Sequence, residues 1–413
     1  MRAAGNPRNL VFTVGSASPT VGAMRDSARD RAVLKIARLS REPLDLVTFW
    51  RKSTPVLASG LEHDGPGCWY TFDPASLLVT SHFHEGMAEF PADWLAKEYY
   101  GEEVNSLPDV ARSESGISTL YEATNGDPSS TPRWHRNMTM GGDQELIVRL
   151  RSRSGEVWGA LSVYRQPGRP LFDEPDKRFL RALAPHFAEG ARRALLIGEA
   201  TDPEGPDAPG LLILTDHWDV ESATPGVARW LSELPDGDWA RGRLPSAVLS
   251  VAGQALRTST KPSQPGEVAV ARVLTHGGTW VVLHGASLVT NGSRRVAVIV
   301  EPAHPARIFS LLMAAYGLTE RERDVTRLIL QGSSTLQIAE QLVVSEHTVQ
   351  EHIKNVFDKT GVRSRRDLVA KVFFSHYEPR FRDNERRTSA DQPVRGGPTT
   401  VTTGLAARAA RLP

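Results

Sequence analysis

Residues 318–374 read LTERERDVTRLILQGSSTLQIAEQLVVSEHTVQEHIKNVFDKTGVRSRRDLVAKVFF, and this stretch decides the fold of the C-terminal part of the chain. Thr319 stands three residues before Glu322, the reciprocal pair that satisfies free N–H groups at a helix start. Val325, Leu328 and Ile329 give that helix one apolar side, and Gln331-Gly332 ends it. Thr335 caps a short second helix with Ile338, Ala339 and Leu342 inward. Three residues after Leu342, Ser345 begins a third helix, whose apolar set is Val349, Ile353, Val356 and Phe357. Gly361 stops it. Ser364 and Asp367 cap a fourth helix, with Leu368, Val369, Val372 and Phe373 expected inward.

Two short helices joined by so tight a turn make a helix-turn-helix unit. The opposite face of the third helix carries His347, Gln350, Glu351, Lys354 and Asp358, where a recognition helix presents side chains to the major groove of double-stranded DNA. From Lys354 to Lys371 there are six cations (Lys354, Lys359, Arg363, Arg365, Arg366, Lys371) against Asp358 and Asp367, a local excess of four. That edge suits a phosphate backbone. Ser345 and Thr348, at the helix start, are further candidates for phosphate contact.

The stretch resembles the LuxR-type helix-turn-helix family closely. The resemblance is carried by LTERERDV at 318–325, Gly332, IAEQL at 338–342 and SEHTVQEHIKNVFDKTGVRSR at 345–365. It implies an all-α four-helix DNA-binding domain that pairs through its last helix, and transcriptional regulation at a paired half-site. Carried position by position, it places base reading on Gln350, Glu351 and Lys354. Phosphate contact is expected from Ser345, Thr348, Lys359, Arg363, Arg365 and Arg366. Glu351 departs from the family, whose members often have Lys or Val at the first two of these places. Gln pairs with adenine and Glu accepts from cytosine N4, so the departure bears on the site sequence. Thr360 stands where the family usually has Leu.

The whole chain gives no such signal. It has 413 residues, a formal net charge of +1 and 23% charged residues, which excludes wholesale disorder and a uniformly basic nucleic-acid coat. One cysteine, Cys68, excludes an internal disulfide framework and fits a reducing, cytoplasmic setting. No run approaches the roughly 18 to 20 apolar residues of a membrane helix, and the apolar run Leu10–Val14 is too short for a signal peptide. Met24 opens a charged, helix-prone stretch, Arg25 to Arg38, and is a candidate start.

Between about 27 and 200 the periods mix. Leu44, Val47, Trp50 and Arg51 begin a helical pattern; Cys68–Phe72 is strand-like and Asp73-Pro74 stops it. Leu146–Leu150 and Val157–Tyr164 alternate around a turn at Arg151–Gly155, a hairpin. Asp173 with Asp176 starts a helix whose stripe is Phe179, Leu180, Leu183, Phe187, Ala191, Ala194 and Leu195. EVWGALSVYR followed by PLFDEPDKRFLRALAPHF looks like the end of a GAF domain, which implies a small-molecule cradle between sheet and helices. From 209 to 303 the pattern is a strand (Leu211–Leu214), a helix (Ala223–Leu234) and three strands (Glu267–Leu274, Thr279–Ser287, Arg295–Glu301). This resembles a PAS domain.

The fold class expected is therefore multidomain α+β: GAF-like and PAS-like α/β sensor domains followed by the helix-turn-helix domain. The boundaries are a disordered N-terminus at 1–26, domains at 27–200 and 209–303, a linker at 201–208, the DNA-binding domain at 310–376 and a disordered tail at 377–413. Glu301–Ala306 reads as a second linker. Trp69, Tyr70, Phe72, Trp94, Tyr99 and Trp158 are candidate pocket residues, with sheet core as the bland alternative. His82 and His84 lie two apart and lack a third ligand at metal-site spacing. Asp143, Glu145, Asp173 and Glu174 read as turn and cap residues. With no nucleophile elbow, phosphate loop or dinucleotide fingerprint, no catalytic residue, metal or cofactor is assigned. No receiver-type pattern of alternating strands and helices is present. Leu180, Leu183, Phe187 and Ala191 are candidates for a dimer seam as well as core.

The expected function is a one-component transcription regulator that couples an unknown small-molecule or protein signal to promoter DNA. It is expected to act as a homodimer, without membrane, and with RNA polymerase as a further partner. The alternatives are a GAF-domain enzyme, or a protein-interaction module with a vestigial helix-turn-helix.

Overall fold

Helix α1 (Pro19–Leu39) begins earlier than the sequence reading allows. Proline is tolerated in the first helical turn, where its missing N–H has no partner to lose, so residues 19–26 are helix and not irregular N-terminus. The computed structural model describes residues 19–86, 91–101, 103–196, 209–260, 268–290, 293–303, 305–376 and 385–389. Residues 1–18, the linker 201–208 and most of the tail lie outside these. Within the tail, residues 385–389 are helical, against the expectation of disorder.

The first unit continues with α2 (Leu46–Ala58), β1 (Asp64–Phe72), β2 (Val79–Phe83), α3 (Ala92–Tyr100), α4 (Leu107–Arg112), β3 (Ile117–Thr119), α5 (Leu120–Ala123), α6 (Pro132–Thr139), β4 (Gln144–Arg151), β5 (Val157–Arg165) and α7 (Glu174–Ala194). The strands form an antiparallel sheet in the order β2-β1-β5-β4-β3. The expected hairpin is β4–β5. Asp173 and Asp176 make the capping box of α7. One face of the sheet packs on α1, α2 and α7 through Trp69, Leu146, Val148 and Leu161. There Trp50 and Trp69 stack at 4.5 Å, and Phe187 meets Trp69 edge-on at 4.8 Å. Leu180, Leu183, Phe187 and Ala191 are spent in this core, so they do not form a dimer seam.

The second unit holds β6 (Gly210–Leu214), β7 (Val220–Ala223), α8 (Val227–Ser232), α9 (Ser246–Thr260), β8 (Val270–Leu274), β9 (Trp280–Thr290) and β10 (Ser293–Pro302). Its sheet order is β7-β6-β10-β9-β8, the same winding as the first. The helix expected over 223–234 is shorter, because Ala223 pairs with Leu212 as a strand residue. Helix α9 was not foreseen, although Ala247, Val248, Val251, Ala252, Ala255 and Leu256 are all buried along it.

Helix α9 joins the two units. One side lies on β9, where a side chain at Gly285 would stand 2.7 Å from the Val251 carbonyl. The other side lies on α3, where a side chain at Gly253 would stand 2.4 Å from the Ala96 carbonyl. The two units therefore share one apolar core, running from Cys68, Tyr70 and Tyr99 through α9 to Val298 and Val300. Polar bonds cross the same joint. Asp73, at the end of β1, accepts from Arg272 of β8 at 2.5 and 2.8 Å, and Ser250 Oγ donates to the Val79 carbonyl at 2.8 Å.

The last part is α10 (Pro305–Ala315), α11 (Glu320–Leu330), α12 (Thr335–Leu342), α13 (Glu346–Thr360) and α14 (Arg365–His376). The linker expected at 301–306 is absent. β10 runs to Pro302, Ala303 is buried, and α10 starts at Pro305. Helix α10 faces two ways. Leu311, Ala314 and Ala315 join the core of the first unit, while Ile308, Leu312 and Met313 join the core of the terminal domain. Among the described residues no helix is long and apolar enough to cross a membrane.

Candidate functional site

The terminal domain is built by local chemistry. Thr319 Oγ1 accepts from the Glu322 N–H, and Glu322 returns the bond to the Thr319 N–H at 2.8 Å. Glu322 also accepts from Lys359 Nζ at 2.6 Å, which ties α11 to the end of α13. Burial would raise the Glu322 pKa, but these bonds outweigh it and hold the carboxyl below its ordinary range. The second helix starts one residue earlier than expected. Ser334 is its cap, paired with Gln337, and Thr335 is the first helical residue. Val343 turns the chain left-handed at φ 56° and ψ 51°, which lets Val344 N–H bond the Ala339 carbonyl and sets α13 off at once. Ser345 then caps α13, accepting from the Thr348 N–H at 3.1 Å.

Val349, Ile353, Val356 and Thr360 face the core of this domain. Gln350, Glu351 and Lys354 are exposed together on the outer face of α13. Among the cations expected at phosphate, Arg363 and Arg366 are exposed. Two others are committed to partners within the domain, Lys359 while remaining exposed and Arg365 half-buried. Lys359 is paired with Glu322, and Arg365 donates to the Ser333 carbonyl at 2.6 Å and to Thr335 Oγ1 at 2.8 Å, bracing the turn before α12. Ser345 and Thr348 bond each other at the cap. On α14, Leu368 and Val372 are buried, but Val369 is 39% exposed and does not face inward as expected.

This domain is bolted to the upstream units. Arg323 of α11 pairs with Glu156 in the β4–β5 turn. Arg192 of α7 donates to the Ala315 carbonyl at the end of α10. Arg272, besides holding Asp73, donates to the Arg307 carbonyl at 3.3 Å and to Ser310 Oγ at 3.2 Å. A single guanidinium of the second unit thus touches both the first unit and α10.

A cavity of about 700 Å³ opens between the two upstream units. Its floor is the second face of the first sheet, with Tyr70, Glu145 and Tyr164 pointing in; α3 and α6 supply Trp94, Glu98, Arg133 and Asn137. The second unit closes it with Trp218, Asp236 and Leu249. Arg133 is buried and donates to both Glu145 oxygens at 2.6 and 3.0 Å and to Glu98 at 2.5 Å. Burial pushes the Glu98 pKa up against the pull of Arg133. Asp236 accepts from the backbone N–H groups of His82 and Ser246 at 2.7 and 2.8 Å, and burial raises its pKa. His82 stacks on Tyr70 at 4.6 Å and 6°, and burial with His84 alongside pushes its pKa down to about 3.

Of the six candidate pocket aromatics, Tyr70 and Trp94 line the cavity. Trp69 points to the opposite face of β1, because neighbouring strand residues alternate. Trp158 packs in that same opposite core. Phe72 and Tyr99 are buried beneath the cavity wall, and Tyr99 is fixed by bonds to the Val79 N–H and the Leu77 carbonyl. Lining residues that the sequence reading missed include Glu98, Arg133, Asn137, Tyr164, Trp218 and Asp236, and Glu145, expected as a turn or cap residue, is instead a buried residue of β4 paired with Arg133. Buried charge in a helical or strand pattern was the available signal for Glu98 and Arg133. Asp143 accepts from Tyr121 and Trp134, and Asp173 is a cap, as their spacing suggests. Among the described residues no three His, Cys, Asp or Glu side chains are placed to hold a metal. The Cys68 thiol is buried, with its pKa raised by burial and by the nearby Glu145.

Comparison with known proteins gives a match over residues 317–372 to the model of the bacterial regulatory proteins of the luxR family. The chain is 44% identical over 55 residues to the spore germination protein GerE of Bacillus subtilis, covering 13% of this chain and 74% of that protein. It is 54% identical over 57 residues to the nitrate/nitrite response regulator NarP of Escherichia coli, covering 14% of this chain and 26% of NarP. Upstream, a bilin-bound GAF domain from a cyanobacterial phytochrome aligns over 41% of this chain and 98% of that one, at 14% identity and a TM-score of 0.32, too low to carry anything to this chain.

Proposed function

This chain belongs to the luxR family of bacterial regulatory proteins, and from that premise we propose that it is a sequence-specific transcriptional regulator whose upstream half senses a chemical signal. The observation that carries the reading is the outer face of α13. Gln350, Glu351 and Lys354 stand exposed on it, along the middle of a capped helix whose other face is core. In this reading α13 enters the major groove and these three read base edges. Arg363, Arg366 and the helix start at Ser345 and Thr348 meet phosphate; Lys359 and Arg365 hold the domain in shape while adding positive field. The chain works as a homodimer on paired half-sites, in the cytoplasm, and acts on RNA polymerase at the promoter. The upstream units are sensory, GAF-like and PAS-like, and no turnover is assigned to them.

Signal reaches DNA by population shift. The cavity is walled by both upstream units, and α10 shares its core with the first unit and with the terminal domain. A ligand that prefers one arrangement of the units thereby biases how α13 is presented. Fluorescence anisotropy on DNA carrying the native site tests the reading. Lys354→Ala is expected to cost about 1–3 kcal/mol of binding free energy, the range for a good base contact. The logarithm of wild-type affinity is expected to fall linearly with the logarithm of salt, by about 0.9 per phosphate neutralised. Unchanged affinity in the variant, with no salt dependence, refutes a role for this face in DNA binding.

A further inference from the structure

Among the described residues the charge lining the cavity does not balance. Four of its lining side chains are carboxylates (Glu98, Glu145, Asp219, Asp236) and three are guanidinium groups (Arg133, Arg136, Arg243). Arg136 is committed to Glu103 by two bonds of 2.8 and 2.9 Å, and Arg243 donates to Asp238 at 3.2 Å. Neither Glu103 nor Asp238 lines the cavity. Arg133 remains, shared between Glu98 and Glu145. Asp236 has two backbone N–H donors and, among the described residues, no cation bonded to it, and Asp219 is exposed at the rim. The imidazoles of His82 and His84 add no positive charge near neutral pH, because burial lowers both pKa values. Burial raises the pKa of Glu98 and Asp236, which marks ionised carboxyls there as costly, and a cation beside them relieves that cost because the effective dielectric is far below that of water.

Two further features of the same cavity point to an organic cation and away from a bare ion. The walls are aromatic: Tyr164 and Trp218 line it together with Tyr70, one face of which is stacked on His82, and Trp94, which already holds the Arg136 cation over its ring at 5.9 Å. Asn137, 94% buried by its 6% exposure, has its amide nitrogen buried with no hydrogen-bond partner. A buried donor left unbonded is costly, so a ligand that supplies an acceptor there gains affinity. The volume of about 700 Å³ suits a drug-sized molecule.

We propose that this cavity binds an aromatic organic cation, its ammonium group directed at Glu98, Glu145 and Asp236 and a hydroxyl or carbonyl oxygen accepting from Asn137. The proposal names the ligand class for the sensing role proposed above and rests on that reading only for its consequence at DNA. Isothermal titration calorimetry on the full chain tests it with three probes that share one ring system: 1-naphthylmethylamine, 1-naphthalenemethanol and 1-naphthoate. The amine is expected to bind at least tenfold more tightly than the alcohol, and the carboxylate more weakly than both. Asp219→Asn, at the exposed rim, weakens the amine several-fold and leaves the alcohol unchanged. Asn137→Ala weakens the alcohol as well, because its oxygen loses a donor. Equal affinity for amine and alcohol, preference for the carboxylate, or no binding of any probe overturns the proposal. DNA affinity is read separately by anisotropy with the amine present. Amine binding that leaves DNA affinity unchanged upholds the ligand class and refutes the sensing role.

Discussion

The two sheets of this molecule are wound alike and are used differently. Each runs second, first, fifth, fourth, third strand. The first is covered on both faces: β5 is buried from Trp158 to Arg165, and β4 from Gln144 to Val148. The second is covered on one face, so β6 and β8 alternate buried and half-buried residues, and Leu288 and Ile299 stay exposed. What differs is the neighbour. The second sheet lends α9 to close the far side of the first and receives little cover for its own outer face. A sheet roofed on both sides can enclose charge, and among the described residues the first alone holds an Arg–Glu–Glu cluster beside a cavity. The outer face of the second, where water screens charge, carries its ion pairs in the open, as with Arg295 and Glu221.

The sharpest way to break this comparison is to remove one buried charge. Arg133→Met leaves Glu98 and Glu145 without their shared cation, and urea denaturation is expected to show a loss of about 3–5 kcal/mol. Ile299→Thr, on the open face of the second sheet, is expected to stay within about 0.5 kcal/mol. Similar losses at both sites contradict the contrast. A smaller effect is expected at the joint. Gly253→Ala puts a carbon 2.4 Å from a backbone carbonyl of α3, so the helices must part, at about 1–3 kcal/mol. Its signature is faster hydrogen exchange in both α3 and α9; protection unchanged in α3 shows that α9 does not join the units.

A third effect shows only on acidification, as a pH slope. His82 titrates near 6.5 unfolded and near 3 folded, so between those values the unfolded chain binds more protons. Stability therefore rises with pH from about 3 to 6.5 and is flat with respect to this group above that. His82→Phe keeps a ring against Tyr70 and removes the proton site. Its melting temperature is expected to fall less steeply on acidification through that window; an identical slope removes His82 from the account.

How much could be read in advance follows the range of the interactions. The terminal domain was legible because its signals are local. Thr319 and Glu322, Ser345, and Ser364 with Asp367 act within four residues, and the core positions repeat every three or four. Even there, the roles of Lys359 and Arg365 were hidden, since their partners Glu322 and Ser333 lie more than thirty residues away. The hairpin β4–β5 and the cap of α7 were legible for the same local reason. The cavity was not. Its walls come from β1, α3, α6, β4, β5 and the second unit, and no spacing records that they converge. Aromatic residues were a poor guide because Trp69 and Tyr70, adjacent in sequence, serve opposite faces of one strand. The linker expected at 301–306 failed because prolines that look like breaks fall at a strand end and a helix start.

The central claim is that the exposed face of α13 finds DNA sites in the cell. Genome-wide immunoprecipitation of the tagged full chain, compared with the Lys354→Ala/Arg366→Ala double variant, tests it most directly. Both positions are exposed, so the fold is expected to survive the change. Discrete peaks sharing a palindromic site are expected, lost in the variant at equal protein level. Peaks that persist in the variant contradict it.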